Sequence, residues 1–319
     1  MTQPPAPRFL SRLAWFTLAW NILVILWGAV VRATGSGAGC GAHWPTCNGE
    51  VIPPSPTIGT LIEYSHRATS GIALLLVALV LHLVWRRIDK GGLARFWAAA
   101  SMLLILSEAA IGAGLVLFQR VAGDTSTSRG YWISGHLVNT FLLLAALTLT
   151  ARFLDAPRAC AEVGWRGALR ASFPGLRLTS PAFLALLSLL ATGISGAIAA
   201  LGDTLFKATS LAEAIAQDFS SASHIFLRLR IFHPFIALLG GALALLVAYR
   251  ALSTNEGRPV ARRRGLQLAL LVVTQWFVGL VNLLLLAPTW LQIVHLFVAD
   301  LIWMTLILTV ADGPDETPR

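Results

Sequence analysis

Runs of about twenty apolar residues recur along the chain and constrain its fold most, because a helix of that length crosses a hydrocarbon core of roughly 30 Å. Only 12% of the 319 residues are charged, against about 25% in a soluble domain. Eight runs reach the required length: 13–31, 68–85, 97–118, 131–151, 181–201, 231–249, 266–287 and 290–310. The sequence therefore predicts an all-α, polytopic membrane protein with eight transmembrane helices.

The basic residues predict how these helices are oriented. Most of the 24 Lys and Arg residues lie near the two ends of the chain and in the loops after the second, fourth and sixth runs. Basic loops face the cytoplasm, so the N- and C-termini are predicted to be cytoplasmic. The net charge of +9 then indicates topology and contact with the lipid bilayer. No basic patch with interleaved aromatic residues indicates a nucleic-acid partner.

Each even-numbered run carries one histidine near its predicted outer end. Histidine is rare in membrane helices, and ionisable residues there usually mark a functional site. The four histidines are His66, His136, His233 and His295. The other three are interpreted as solvated or interfacial: His43, His82 and His224.

The two halves of the chain are similar to each other. The first and third of the four histidines are 167 positions apart, as are Gly112 and Gly279. The segment “GHLVNTFLLLAAL” also matches “VHLFVADLIWMTL”. We therefore expect two tandem four-helix bundles, with a chance match of apolar helices as the alternative. The predicted units are a four-helix half at 1–152, a cytoplasmic linker at 153–179 and a four-helix half at 180–319.

This arrangement pairs His66 with His136 and His233 with His295. A neutral imidazole is a metal ligand, and two on facing helices can occupy both axial positions of a haem iron. The sequence thus favours one bis-histidine haem site in each half. Structural histidines that only form hydrogen bonds between helices are the alternative.

The first outer loop, “RATGSGAGCGAHWPTCNGEVIPP”, contains two of the three cysteines. On the predicted outer, oxidising face, Cys40 and Cys47 can form a disulfide. Two cysteines are too few for a structural zinc site. Cys160 is predicted to be a cytoplasmic free thiol.

Five arginines lie near predicted outer helix ends. Arginine binds carboxylates with two parallel hydrogen bonds, so these residues are candidates for contacts with haem propionates. Contact with lipid phosphate is the alternative for each. They are Arg32, Arg67, Arg129, Arg228 and Arg230.

The segment “GAVVRATGSGAGCGAHWPTCNGEVIP”, the following “IEYSHR” and one histidine on each later even helix closely resemble the haem A synthases. The resemblance covers nearly the whole chain. It implies an inner-membrane oxidoreductase of bacteria that converts a ring methyl group of haem O into the formyl group of haem A for terminal oxidases. It further implies that His66 and His136 hold the substrate haem, and that His233 and His295 hold a haem b cofactor.

The resemblance also assigns the family's essential acidic residue to Glu63. Three residues before His66 on a helix, this carboxylate shares a face with that ligand and suits the role of a base. A structural ion pair with Arg67 or Arg32 is the alternative. With both axial positions of the substrate iron filled, water is favoured over O2 as the oxygen source. Implied partners are haem O synthase and an unidentified electron-transfer protein.

Some members of that family carry a second cysteine pair in the third outer loop, which this chain lacks. Two other functional classes stay open. A diheme electron-transfer cytochrome would use the same four histidines without a role for Glu63. A tandem-repeat transporter would need polar groups near the membrane midplane, and its candidates are Glu108, Asn139 and Asn282.

Overall fold

A computed structural model describes residues 7–158, 164–253 and 259–312 of the chain. Within these residues the fold is helical, and eight segments are long and apolar enough to span a membrane. The predicted fold class is confirmed. The α-helices are α1 (Arg8–Ala33), α2 (Ile58–Arg87), α3 (Leu93–Leu117), α4 (Thr127–Asp155), α5 (Trp165–Ser172), α6 (Pro181–Leu205), α7 (Leu211–Phe219), α8 (Ile225–Arg230), α9 (His233–Ser253), α10 (Pro259–Leu284) and α11 (Thr289–Ala311).

Seven of the predicted spans are single helices, whereas the sixth consists of α8 and α9. The interruption lies at Ile231 and Phe232, just before Pro234 at the second position of α9. Proline has no N–H to donate to the preceding turn, so a helix readily breaks there. As a result His233 is the first residue of α9, while His66 lies well inside α2.

The first half is a ring of four helices in which α1 packs on α2, α2 on α3, α3 on α4 and α4 on α1. Its interior contains one buried apolar cluster that includes Leu18, Val77, Ile105 and Leu144. Other leucines on the same helices face outward, as expected for lipid contact. Because lipid is as apolar as leucine, close packing rather than removal from water holds such helices together.

The second half repeats this ring with α6, α9, α10 and α11. Small residues let its helices approach closely. A Cβ atom on Gly265 of α10 would lie 2.9 Å from the Ala248 carbonyl oxygen of α9. Only glycine fits at that crossing. Two tandem four-helix bundles are therefore present, as predicted.

The two bundles pack along α4, which contacts α6 and α11. The Trp303 indole donates a hydrogen bond of 2.7 Å to the Phe141 carbonyl oxygen, and the Trp303 ring stacks on that of Phe141 at 5.2 Å. Between the bundles, the short helix α5 packs against α3, where Trp97 donates to Ser172 Oγ at 2.8 Å. The unit boundaries at 1–152, 153–179 and 180–319 stay a prediction, and Cys160 lies outside the described residues.

Candidate functional site

In the first half, His66 of α2 stands against a glycine of α1. A Cβ atom on Gly28 would lie 3.0 Å from His66 Cε1 and 3.3 Å from Nε2. His66 Nδ1 is buried and has no hydrogen-bond partner among the described residues. The ring is therefore held in place by close packing, with a nitrogen that the protein leaves unused.

His136 of α4 lies beside a carboxylate of α3. Its Nδ1 is 3.2 Å from Glu108 Oε1, although the ring is turned so that no hydrogen bond forms. Glu108 is itself fixed, because Thr140 Oγ1 donates to Oε1 and Asn139 Nδ2 donates to Oε2 at 2.6 Å. His66 and His136 belong to α2 and α4, which are opposite members of the four-helix ring.

In the second half, the rings of His233 and His295 lie edge to face, with centroids 6.3 Å apart and planes at 79°. A glycine again backs each ring. A Cβ atom added to Gly196 of α6 would lie 3.0 Å from His233 Cε1, and one added to Gly279 of α10 would lie 3.1 Å from His295 Cε1. Glycine thus recurs behind three of the four histidines.

Polar contacts differ between these two rings. Ser195 Oγ is 3.0 Å from His233 Nδ1, and Gln275 Nε2 is 3.2 Å from His295 Nε2. His295 Nδ1 has no partner among the described residues. His295 therefore keeps one buried ring nitrogen without a hydrogen-bond partner in the described residues.

These four residues fit a haem ligand set. Buried polar atoms usually have partners, so the unpartnered Nδ1 atoms of His66 in the first half and His295 in the second indicate ligand positions. A centroid separation of 6.3 Å leaves space for one metal ion bonded to each ring at about 2 Å. No group of three or more His, Cys, Asp or Glu side chains suited to holding a metal ion by protein ligands alone occurs in the described part of the chain.

The first outer loop contains the predicted disulfide between Cys40 and Cys47. The loop lies directly on the start of α2, since a Cβ on Gly39 would be 2.5 Å from the carbonyl group of Gly59. Thr60 Oγ1 also donates to the Gly39 carbonyl at 2.9 Å. The glycine-rich sequence of the loop thus permits a close backbone contact one turn before Glu63.

Glu63 joins this loop to α2. The side chain is buried, and its Oε2 accepts a hydrogen bond of 2.8 Å from the Cys40 N–H. Its Oε1 pairs with Arg67, which also donates to the carbonyl oxygens of His43 at 2.6 Å and Thr46 at 2.7 Å. The ion pair considered as the alternative role for Glu63 is therefore formed.

Residues 11–307 match the COX15-CtaA family, which is described as cytochrome oxidase assembly protein. The chain belongs to the COX15-CtaA family. A “Protoheme IX farnesyltransferase” of Thermus thermophilus is 45% identical over 303 residues, which are 95% of this chain and 48% of the relative. The chain spans about half the length of that relative.

Proteins named “Heme A synthase” are similar over shorter stretches. That of Halalkalibacterium halodurans is 35% identical over 152 residues, 48% of this chain and 50% of the relative. That of Alkalihalophilus pseudofirmus is 43% identical over 97 residues, 30% of this chain and 33% of the relative.

In this COX15-CtaA protein, most of the arginines proposed for propionate contacts have protein partners. Arg129 is buried and donates to the carbonyl oxygens of Ala122 at 2.5 Å and Asp124 at 2.8 Å. Arg228 is exposed on α8. The propionate role stays a prediction for all five, and Arg228 has the fewest competing contacts among them in the described residues.

Arg32 links the two bundles. Its guanidinium donates to the Ala200 carbonyl at 2.8 Å, to Thr204 Oγ1 at 2.7 Å and to Gln292 Oε1 at 2.8 Å. Ala200 lies one turn beyond the glycine that backs His233, and Gln292 lies three residues before His295. Arg32 thus connects the first bundle to helices that carry the second histidine pair.

The third outer loop, which lacks cysteines, is held together by ion pairs between side chains. Arg230 pairs with Asp203 at 2.7 Å and with Asp218 at 2.5 Å, so that α6, α7 and α8 are joined. His224 caps α8 by accepting from the Phe226 N–H at 3.3 Å. His224 is half-buried, with its ring against Phe206 and Phe226, and its solvated or interfacial role stays a prediction.

Several residues of the site were not identified from the sequence. Gly28 and Gly196 occur in “WGA” and “SGA”, 168 positions apart. This similarity between the halves is the sequence signal that could have identified them. Gln275 is aligned with Glu108 by the same offset as the first and third histidines. Asp300 is fully buried, and neither carboxyl oxygen has a hydrogen-bond partner in the described residues. No pattern in the sequence indicates that isolation.

Proposed function

We propose that the protein is a haem A synthase, which oxidises a ring methyl group of haem O to the formyl group of haem A. The observation that carries the proposal is the pair of histidines in each bundle, with glycine packed behind three of the rings and nitrogens left free. Family membership and the names of two relatives support it. We further propose an inner-membrane location with both termini in the cytoplasm.

The two bundles would have different roles. His66 and His136 would hold haem O as the substrate, and His233 and His295 would hold haem b. When bound, haem b supplies one-electron transfer between the substrate site and an external partner. Conversion of a methyl group and one water molecule into a formyl group releases four electrons and four protons, so the substrate site needs a proton acceptor.

Glu63 is the proposed proton acceptor. It lies three residues before His66 on α2 and therefore on the same side of that helix. Its two oxygens already contact the Cys40 N–H and Arg67. A carboxylate has about four lone-pair sites, so a proton can be accepted without breaking either contact. Arg67 and the disulfide loop would then hold the carboxylate in a fixed position.

Two partners follow from this proposal. Haem O must come from a reaction that attaches a prenyl chain to haem, and the Thermus relative is named for such a transfer. We propose a haem O synthase as the supplier of substrate. An electron-transfer protein at the second bundle would remove the electrons.

One observation favours a second candidate, a diheme electron-transfer cytochrome. Both oxygens of Glu63 are in use, as they would be if this residue only fastened the outer loop to α2. For the transporter alternative, the candidate polar groups Glu108 and Asn139 bond to each other, and the third, Asn282, has a buried side-chain oxygen without a partner in the described residues.

Extraction and chromatographic separation of the haems from purified protein test the proposal. Haem O or haem A together with haem b supports the synthase. Haem b alone supports the cytochrome, and absence of haem contradicts both. The matched variant His136→Ala should lose haem O or A and retain haem b, while His295→Ala should lose haem b.

A further inference from the structure

The two bundles differ at one repeat-related position beside the fourth-helix histidine. Glu108 of α3 and Gln275 of α10 are 167 positions apart, the same separation that relates His66 to His233. Glu108 Oε1 lies 3.2 Å from Nδ1 of His136, whereas Gln275 Nε2 lies 3.2 Å from Nε2 of His295. An acid in one half thus stands where its amide isostere stands in the other.

The surroundings of the acid are also specific to the first half. Glu108 is held by Thr140 and Asn139, and the Asn139 amide is fixed in turn by Ser107 Oγ at 2.7 Å and the Leu104 carbonyl at 2.9 Å. These bonds keep the carboxylate beside the ring. Polar groups of both α3 and α4 therefore serve to place one charged group.

The second half has no equivalent of this support. The positions aligned with Asn139 and Thr140 are Val298 and Ala299, which cannot donate a side-chain hydrogen bond. Gln275 Oε1 accordingly has no partner in the described residues. The difference between the halves is therefore a whole polar arrangement and not a single substitution.

We propose that Glu108 is a positioning residue that accepts the Nδ1–H of His136, so that Nε2 of that ring is the metal-binding atom and a stronger electron donor than its counterpart in the second bundle. A small rotation of the ring brings Nδ1–H, already 3.2 Å from Oε1, into line. Carboxylates that accept from a ligating histidine fix its tautomer and raise its basicity. Gln275 leaves His295 as an ordinary neutral ligand.

The consequence is a direction for electron transfer, and it rests on the proposed function. An electron-rich ligand favours the oxidised iron, so the group held by His66 and His136 is the easier one to oxidise. Electrons then pass from the first bundle to the second. This is the direction that oxidation of a substrate in the first bundle requires.

Reciprocal variants test the inference on the purified full-length protein. The readout is the midpoint potential of each haem, measured by spectroelectrochemical titration. The titration is performed on the protein as isolated and again after ferric protohaem has been added. Glu108→Gln should raise the midpoint potential of the haem in the first bundle by at least about 59 mV. For a one-electron couple this shift is a tenfold change in the ferric-to-ferrous ratio. The haem in the second bundle should not change.

Gln275→Glu should lower the potential of the haem in the second bundle and leave the first unchanged. The His295→Ala protein, which lacks that haem, assigns the two signals. Unchanged potentials in both variants would overturn the inference while the haem content still supported the proposed function. If Glu108→Gln does not accumulate, Gln275→Glu decides alone. Absence of haem from the unmodified protein would instead contradict the proposed function.

Discussion

A single methyl group added behind His295 should weaken haem binding in the second bundle. In Gly279→Ala the new Cβ would lie 3.1 Å from His295 Cε1 and 3.7 Å from Nδ1. The first distance is shorter than ordinary van der Waals contact. The repeat-related glycine of the first bundle, Gly112, has nothing within 4 Å of its Cβ position. Gly112→Ala is therefore a matched control with the same chemical change.

The size of the effect follows from how far the ring can move. Overpacking a close contact costs about 1–3 kcal/mol. A free imidazole can turn away from the methyl group, but a ring held by a metal ion cannot, so the cost falls on haem binding. Because about 1.4 kcal/mol corresponds to tenfold in affinity, we expect roughly 5- to 150-fold weaker binding. Gly112→Ala should stabilise α3 slightly, since alanine is favoured over glycine in helices by about 1 kcal/mol.

The assay is titration of haem-depleted protein with ferric protohaem, followed by the absorbance of the low-spin complex. Thermal unfolding without haem is measured in parallel and should change little in Gly279→Ala and shift slightly upward in Gly112→Ala. Normal affinity in Gly279→Ala, or an equal loss in Gly112→Ala, would refute the reasoning that the glycine makes room for a ligated ring.

Three further outcomes are expected. Glu63→Gln should accumulate haem O with unchanged haem spectra, as measured by extraction; distorted spectra that Arg67→Gln restores would show a purely structural pair. Cys40→Ala removes a cross-link between residues seven positions apart. It should therefore lower the free energy of unfolding by about 2–3 kcal/mol without altering the haem b spectrum. Free thiols found by alkylation of the unmodified protein would contradict the disulfide. Asp300→Leu should raise the melting temperature, because a buried carboxyl without partners is unfavourable; a lower melting temperature than in Asp300→Asn would reveal a partner for this carboxyl.

The sequence was sufficient to predict the eight spans, because the thickness of the bilayer sets the length of each apolar run. The break between α8 and α9 was not predicted, although Pro234 marks it. The internal repeat was also sufficient to predict that His233 and His295 are neighbours, since their ring centroids are 6.3 Å apart. An internal repeat indicates which helices of the two halves are equivalent. It therefore predicts which side chains within each half can come into contact.

Contacts between helices were harder to predict. The packing of Gly28 behind His66 and the contact of Glu108 with His136 depend on how each helix is rotated about its axis. In a membrane both lipid and neighbouring helices are apolar, so the pattern of apolar residues specifies that rotation weakly. Arg129 illustrates a second difficulty, since its partners are backbone carbonyl oxygens that no residue type reveals.

The contacts of Arg32 have a consequence for the order in which the protein is made. This residue leaves the ribosome with α1, but its partner Gln292 follows 260 residues later. At about 5–20 residues per second, synthesis of that interval takes roughly 13–52 s. Until α6 and then α11 are made, the Arg32 guanidinium at the C-terminal end of α1 lacks its final side-chain acceptors. The last helix to be made therefore completes the hydrogen bonds of a charge that was introduced with the first.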